Sequence, residues 1–333
     1  MTEKISVIGA GSWGTTLANL LAGKNFDTIL YIYEPDQFVM MRQQRTNEKY
    51  LPGIELHPEL QLTGSLAEAV NFSGYVVMAV PSHAVRSVLN HLTNQNLTDK
   101  IFINVAKGIE NDTLLRMSQV IHEVSGIPQD RIATLSGPSH AEEVSREVAT
   151  AVVAASDDLS TARIVRDIFR TDYFRVYSST DIIGVELGGS FKNVIAIAAG
   201  IADGAGFGDN TKAALMTRAL VEMTRLGMAM GAQMTTFSGL SGIGDLIVTC
   251  MSRHSRNRYV GEQIGKGKKL QQVLDKMVMV AEGVKTTKSV HQLLEKYPIE
   301  TPISSEVYQV LFNDKNPHDA VRDLMTRDPK EEL

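Results

Sequence analysis

Residues 5–8 of the chain, Ile-Ser-Val-Ile, run directly into Gly9-Ala10-Gly11-Ser12-Trp13-Gly14. A segment with Trp13, Leu17, Leu20 and Leu21 at helical spacing follows at once. Strand, G-x-G-x-x-G turn and helix in that order constrain the fold strongly, because each glycine has its own geometric task. Gly9 permits the tight turn, and Gly11 lets a pyrophosphate approach the backbone. Gly14 lets the helix lie close on the strand, so that phosphates face the positive end of the helix. A second apolar run, residues 28–33, ends at Glu34, twenty residues beyond Gly14. A carboxylate there can accept hydrogen bonds from an adenine-ribose diol. A glycine-rich turn without a ligand is the plainer alternative, and the strand–turn–helix context weighs against it. The chain is expected to bind NAD(H) or NADP(H), with Gly9, Gly11, Ser12, Trp13, Gly14, Tyr33 and Glu34 at the cofactor.

The 333 residues are enough for two domains. A net charge of −5 argues against non-specific binding to nucleic acid or anionic membrane, both of which need a basic field. The single cysteine, Cys250, excludes an internal disulfide and fits a reducing compartment. Met1 leads straight into a strand that stops at glycine, which does not read as a signal peptide. Residues 182–202 form the most apolar stretch, but Glu186 and Lys192 interrupt it, so it reads as a buried helix rather than a membrane span. A cytoplasmic protein is expected.

The first half alternates short apolar runs with helical patterns, which predicts a sheet covered on both faces. Strands are expected at 5–8, 28–33, 75–80, 101–105 and 132–135, and further ones at 150–155 and 174–177 around a helix near 160–169. Three of these runs end in loops: Pro81-Ser82-His83, Ala106-Lys107-Gly108 and Ser136-Gly137-Pro138-Ser139. Ligands in such folds bind beyond the carboxyl ends of the strands, so these loops are site candidates by position. From about Asp181 the strand-like runs stop. Helical spacing fills 182–200, 211–230, 257–265, 270–277 and 284–295. The fold class is therefore α/β: an N-terminal Rossmann-type, doubly wound and mostly parallel sheet over 1–180, and an all-helical C-terminal domain over 181–333. The charged tail 327–333 is expected to fray.

Three clusters in the helical half stand out. In Glu186-Leu187-Gly188-Gly189-Ser190-Phe191-Lys192-Asn193, Lys192 is a charge on an apolar helix with two glycines nearby. A solvated surface lysine is the plain reading; burial beside another cation would instead bring its pKa into the range useful for acid–base work. Ser238-Gly239-Leu240-Ser241-Gly242-Ile243-Gly244-Asp245 reads as a flexible loop ending in one carboxylate. Ser252-Arg253-His254-Ser255-Arg256-Asn257-Arg258 combines guanidinium, small donors and a helix start, which suits a small phosphorylated anion. His83 and His140 read as loop residues. Cys250 reads as a buried structural thiol. No histidine or cysteine spacing suits a metal, and none is expected.

In their order along the chain, these pieces closely resemble the bacterial NAD(P)-dependent glycerol-3-phosphate dehydrogenases. The resemblance rests on residues 9–14, Tyr50-Leu51-Pro52-Gly53, Ala79-Val80-Pro81-Ser82, Ala106-Lys107-Gly108-Ile109 and Ser136-Gly137-Pro138-Ser139. It continues through 186–193, Ser241-Gly242-Ile243-Gly244-Asp245-Leu246 and Ser255-Arg256-Asn257. It implies reversible reduction of dihydroxyacetone phosphate to sn-glycerol 3-phosphate, the backbone of phospholipids. Lys192 is then the acid–base group, and Lys107, Gly137, Ser139, Lys192, Asp245, Ser255, Arg256 and Asn257 contact the substrate. Ser12, Trp13, Lys107, Ala141, Arg256, Val280 and Glu282 contact the cofactor. A phosphorylated small molecule is the expected partner, with no nucleic acid and no membrane span, and any self-association is expected to give a homodimer. One departure stands out. Many members carry a basic or histidine residue after the second strand, where this chain has Tyr33-Glu34. Glu34 would repel a 2′-phosphate, with Arg42 and Arg45 able to fold back and offset it, so NADH is expected to be favoured about ten- to a hundredfold. A 3-hydroxy-acid dehydrogenase of the same plan and an NAD(H)-sensing regulator are the rival readings.

Overall fold

The computed structural model describes residues 3–329 and 331–332. The chain opens with β1 (Lys4–Ile8), α1 (Ser12–Gly23), β2 (Asp27–Tyr31) and α2 (Pro35–Gln44). A small antiparallel pair, β3 (Thr46–Asn47) and β4 (Leu51–Glu55), leads to β5 (Gln61–Thr63) and α3 (Leu66–Phe72). Next come β6 (Tyr75–Met78), α4 (Val85–Asn90), β7 (Ile101–Asn104), α5 (Met117–Ser125) and β8 (Ile132–Ser136). The short α6 (Ala141–Val144), then β9 (Thr150–Ala155), α7 (Leu159–Phe169) and β10 (Phe174–Ser179) complete this half. Only helices follow among the described residues. They are α8 (Ile182–Gly204), α9 (Asp209–Ala229), α10 (Met234–Phe237), α11 (Asp245–Met251), α12 (Arg256–Gly265), α13 (Leu270–Leu274), α14 (Glu282–Lys296), α15 (Pro302–Phe312) and α16 (Pro317–Met325).

The main sheet has eight strands in the order β10-β9-β8-β7-β6-β1-β2-β5. Pairing is parallel from β5 across to β8, but β9 runs antiparallel to β8, and β10 follows β9. The far edge thus turns back. The alternating pattern marks strands without marking their direction. From β1 the chain winds outward through β2 and β5, then crosses to β6 and winds the other way. The gap between the carboxyl ends of β1 and β6 is the topological switch point, where open α/β sheets bind ligands. Side chains from the two faces of the sheet feed two cores. Ile5 and Val7 join Leu17 and Leu21 of α1, whereas Ile8 joins Val76, Met78, Phe102 and Val120.

The helical half is organised around α8, whose residues from Val185 to Ala202 are all buried. Asp181 caps its start, its Oδ1 accepting from the Gly184 amide at 2.9 Å. This helix is long and apolar enough to cross a membrane, yet 94% of its most apolar window is buried in the fold. A β-carbon on Gly200 would strike the Arg258 carbonyl, and one on Gly261 would strike the Ile197 carbonyl, so α8 and α12 touch backbone to backbone. The expected loop at 238–245 is instead a π-helical turn, Leu240–Gly244, running into α11. α15 and α16 are helices beyond those expected, each with proline in its first turn. In the tail, Arg327 pairs with Glu300 at 3.5 Å and Glu332 with Arg218 at 2.6 Å, while Lys330 and Leu333 lie outside the described residues.

Candidate active site

At the switch point, Gly9 has φ +111°, and a β-carbon there would lie 2.7 Å from the Ala79 carbonyl oxygen. A β-carbon on Gly14 would overlap the Gly9 carbonyl, so the first turn of α1 rests directly on the loop. Gly11 differs: nothing lies within 4 Å of its β-carbon position. Packing does not demand glycine there; close approach of a ligand to the backbone does. The residues present therefore fit a dinucleotide pyrophosphate. Two buried amides brace the loop, Gln37 and Asn47, donating to the Ala10 carbonyl at 3.1 and 2.9 Å. Trp13 packs tilted against Phe174, with ring centres 6.3 Å apart.

Past β2, Tyr33 is 78% exposed and Glu34 occupies the position preceding α2. Glu34 Oε1 accepts from the Tyr50 hydroxyl at 2.6 Å and from Lys49 Nζ at 3.0 Å. Burial alone would raise the Glu34 pKa, but these two partners hold it below the usual carboxylate range. Arg45 does not fold back toward this position. Its guanidinium is spent on the carbonyls of His57, Pro58 and Leu60, and Arg42 lies over the Phe38 ring.

The second cluster gathers three chain segments on one carboxylate. Lys192, on α8, is 6% exposed, and Asp245, at the start of α11, is 2% exposed. Lys192 Nζ donates to Thr249 Oγ1 at 2.8 Å and lies 3.1 Å from Asp245 Oδ1, to which Thr249 also donates at 3.1 Å. Lys107 Nζ reaches Asp245 Oδ2 at 2.6 Å and the Gly137 carbonyl at 2.9 Å. Burial lowers the Lys192 pKa to about 8, opposed by Asp245 and assisted by Lys107. Burial would raise Asp245, yet the two lysines bring it below its ordinary value. Each ammonium has three N–H donors, and each commits two of them here. One N–H of Lys192 and one of Lys107 are left for a ligand.

The third cluster divides by role. Ser255 caps α12, accepting from the Arg258 amide at 3.2 Å. Asn257 is tied inward: it donates to Asn193 Oδ1 at 2.8 Å and accepts from the Gly283 amide at 2.9 Å. Arg256 is exposed beside them and donates to the Val280 carbonyl at 3.0 Å. Glu282, at the start of α14, accepts from the Ser82 amide at 2.8 Å and the Ser82 hydroxyl at 2.6 Å, joining the loop after β6 to the helical half. Gly137 has φ +151°, and a β-carbon there would lie 2.9 Å from Val152 Cα; the Ser139 hydroxyl donates to the Gly137 carbonyl at 3.1 Å, and Ala141 begins α6.

Thr249 and Asn47 lie outside the segments singled out in the sequence, and Ser82 and Asn193 stand in such segments without a role of their own, because each acts through a partner far along the chain. Thr249 lies one turn after Asp245, and that spacing was its only signal. His140 Nε2 and Ser136 Oγ are buried, with no partner among the described residues, on either end of the 136–140 loop. Burial first, then the charge of Lys192, lowers the His140 pKa, so its imidazole is neutral. Cys250 is fully buried and its thiol is pushed up to about 12, as an inert structural thiol requires.

Residues 4–162 match the family model for the N-terminus of NAD-dependent glycerol-3-phosphate dehydrogenase, and residues 181–322 match the model for its C-terminus. The chain is 53% identical over 331 residues to a glycerol-3-phosphate dehydrogenase [NAD(P)+] of Chlorobium phaeobacteroides, covering 99% of each chain. It is 54% identical over 330 residues to the enzyme of that name from Prosthecochloris aestuarii, again covering 99% of each. Among solved structures, glycerol-3-phosphate dehydrogenase from Coxiella burnetii superposes with a TM-score of 0.93 at 35% identity, over 98% of this chain and 99% of that one. Matched by both family models and, along nearly its whole length, by relatives of more than 50% identity, this protein belongs to the NAD-dependent glycerol-3-phosphate dehydrogenase family.

Proposed function

We propose that the chain catalyses the reversible reduction of dihydroxyacetone phosphate to sn-glycerol 3-phosphate with NADH or NADPH, with residues 1–180 holding the cofactor and 181–333 supplying acid–base and phosphate-binding groups. The observation that carries this reading is the position of Lys192: fully buried, near neutral pKa, aimed by Thr249 and Asp245 and still holding one free donor.

The nicotinamide cofactor, when bound, supplies a hydride to substrate C2 or takes one from it. Negative charge then grows on the C2 oxygen, and the free N–H of Lys192 stabilises that oxygen and delivers the proton; in the oxidative direction neutral Lys192 accepts it. Asp245 keeps both lysines oriented and offsets part of their mutual repulsion. Lys107 adds positive potential with its own remaining N–H. Arg256 and the start of α12 hold the phosphate, with Ser255, Gly137 and Ser139 lining its approach, so remote binding energy fixes C2 in place. Asn257 acts by holding α12 against α8 and α14. Gly9, Gly11, Ser12, Trp13 and Gly14 receive the pyrophosphate, and Ala141, Val280 and Glu282 face the rest of the cofactor.

The reading extends to a cytoplasmic role supplying glycerol 3-phosphate for phospholipid synthesis, supported by a buried, unpaired Cys250. A homodimer is the proposed assembly: Ile247 and Met251, one turn apart on α11, expose apolar surface of 41% and 65%, and sedimentation velocity reads the outcome. The deciding experiment is oxidation of NADH or NADPH on adding dihydroxyacetone phosphate. Turnover that needs the phosphate group is expected, and no turnover with either cofactor overturns the reading.

A further inference from the structure

The position that reads the adenine ribose is not a bare carboxylate. Lys49 and Tyr50, in the turn between β3 and β4, both bond Glu34 on the same oxygen, Oε1. That leaves Oε2 to accept from a ribose hydroxyl. Lys49 Nζ also lies 4.9 Å from the centre of the Tyr50 ring, so the ammonium sits over the face of the residue that anchors Glu34. The side chains of Lys49 and Glu34 are 40% and 37% exposed, and a half-solvated pair of this kind holds weakly. A lysine ammonium on its four-carbon stem can therefore turn to a nearby anion. The two arginines that α2 and its end bring close are otherwise engaged: Arg45 on three carbonyls and Arg42 over Phe38.

The geometry points to Lys49 as the residue that lets this chain accept a 2′-phosphorylated cofactor. Resting on the reading of residues 1–180 as the cofactor site, the device has two settings. With an unphosphorylated ribose, Lys49 stays on Oε1 and Glu34 presents Oε2 to the diol. With a 2′-phosphate, Lys49 turns from Glu34 to the phosphate, and Tyr50 alone keeps the carboxylate in place. Glu34 taken alone implies a ten- to hundredfold preference for NADH. With Lys49 opposite it, the wild-type specificity ratio narrows to within about tenfold, because one cation answers the carboxylate or the phosphate.

The test measures the ratio of kcat/KM for NADPH to that for NADH, which cancels any loss common to both cofactors. Lys49→Met is expected to lower this ratio about ten- to a hundredfold, since it removes a cation and leaves the Glu34 charge uncompensated. Glu34→Gln is expected to raise it. In the wild type, added salt should weaken NADPH binding more than NADH binding. A Lys49→Met ratio within twofold of wild type overturns the proposal. Calorimetric titration with each cofactor gives the corresponding ratio of dissociation constants without turnover, and Lys49→Met should shift it in the same direction. If the wild type binds both cofactors but reduces no dihydroxyacetone phosphate, the reaction is misassigned and the role of Lys49 is still decided.

Discussion

A buried lysine held near neutral pKa by desolvation is costly to keep, and it makes sharp demands on its surroundings. Lys192 meets them with one carboxylate, one hydroxyl and a second lysine across the carboxylate. Removing the ammonium while keeping the bulk of the side chain, as in Lys192→Met, should lower kcat by about 10²–10⁴-fold while cofactor affinity stays within a few fold. A variant within threefold of wild type would falsify the assignment. The pKa also sets a direction. Reduction needs Lys192 protonated and oxidation needs it neutral, so kcat/KM for reduction should fall as pH rises through about 8, and oxidation should rise over the same range. If both directions follow the same limb near that pH, another group carries the proton. The two ends of the Lys192–Asp245 pair were legible separately: a lysine on an otherwise apolar helix marked Lys192, and a lone carboxylate before an apolar run marked Asp245. Lys49 was not, since nothing local distinguishes a lysine in a polar turn until Glu34, fifteen residues back, is folded beside it.

At the scale of elements, the substrate end depends on two helices packed too closely for side chains. A β-carbon on Gly200 or Gly204 would strike α12, and one on Gly261 or Gly265 would strike α8. That contact sets α12 so that Asn257 meets Asn193 and the Gly283 amide, with Ser255 and Arg256 next to it in the chain. Gly261→Ala should therefore push α12 off α8. The expected cost is about 1–3 kcal/mol of stability, with a raised KM for dihydroxyacetone phosphate and little change in cofactor dissociation constant. Equal effects on substrate and cofactor would mean that α12 does not set the phosphate end alone. Seven of the eight main-sheet strands, and the helices α1, α7, α8, α9, α12, α13 and α14, were readable within a few residues, because period and punctuation are local properties. The reversed edge at β9 was not, since direction depends on the partner strand. Nor was the β3–β4 pair on either side of Lys49 and Tyr50, since β3 has only two residues and β4 carries Pro52-Gly53 where an alternating run would be. The start of α16 carried a readable signal that went unused: Asn316 before Pro317, with Asn316 Oδ1 accepting from the His318 amide at 2.8 Å.

Across the whole molecule, the sheet and the helical half meet on α8, which packs against β8 and β9 at one end and against α9, α11, α12 and α14 along its length. The tie at the sheet end is Glu186, 5% exposed and six residues before Lys192 on the same helix. Its carboxylate accepts from Arg116 Nη1 at 2.5 Å, from the Ser118 amide and hydroxyl at 2.8 and 2.6 Å, and from Thr134 Oγ1 at 3.2 Å. The partners come from α5, the residue before it, and β8. Helices tied to a sheet by such a buried network, and by Ile182 and Val185 packed against Ala155 of β9, should not melt apart from it, so a single cooperative unfolding transition is expected in place of the two that separable halves would give. Glu186→Ala leaves the Arg116 guanidinium, only 12% exposed, without its carboxylate, and takes an acceptor from Ser118, Thr134 and Asn104. Loss of one partner of a buried pair costs about 3–5 kcal/mol, so the transition should move to lower temperature and remain single. Calorimetry that resolves two wild-type transitions would show that α8 does not unite the halves. A Glu186→Ala shift smaller than about 1 kcal/mol would show that packing along α8 holds them together without the Glu186 network.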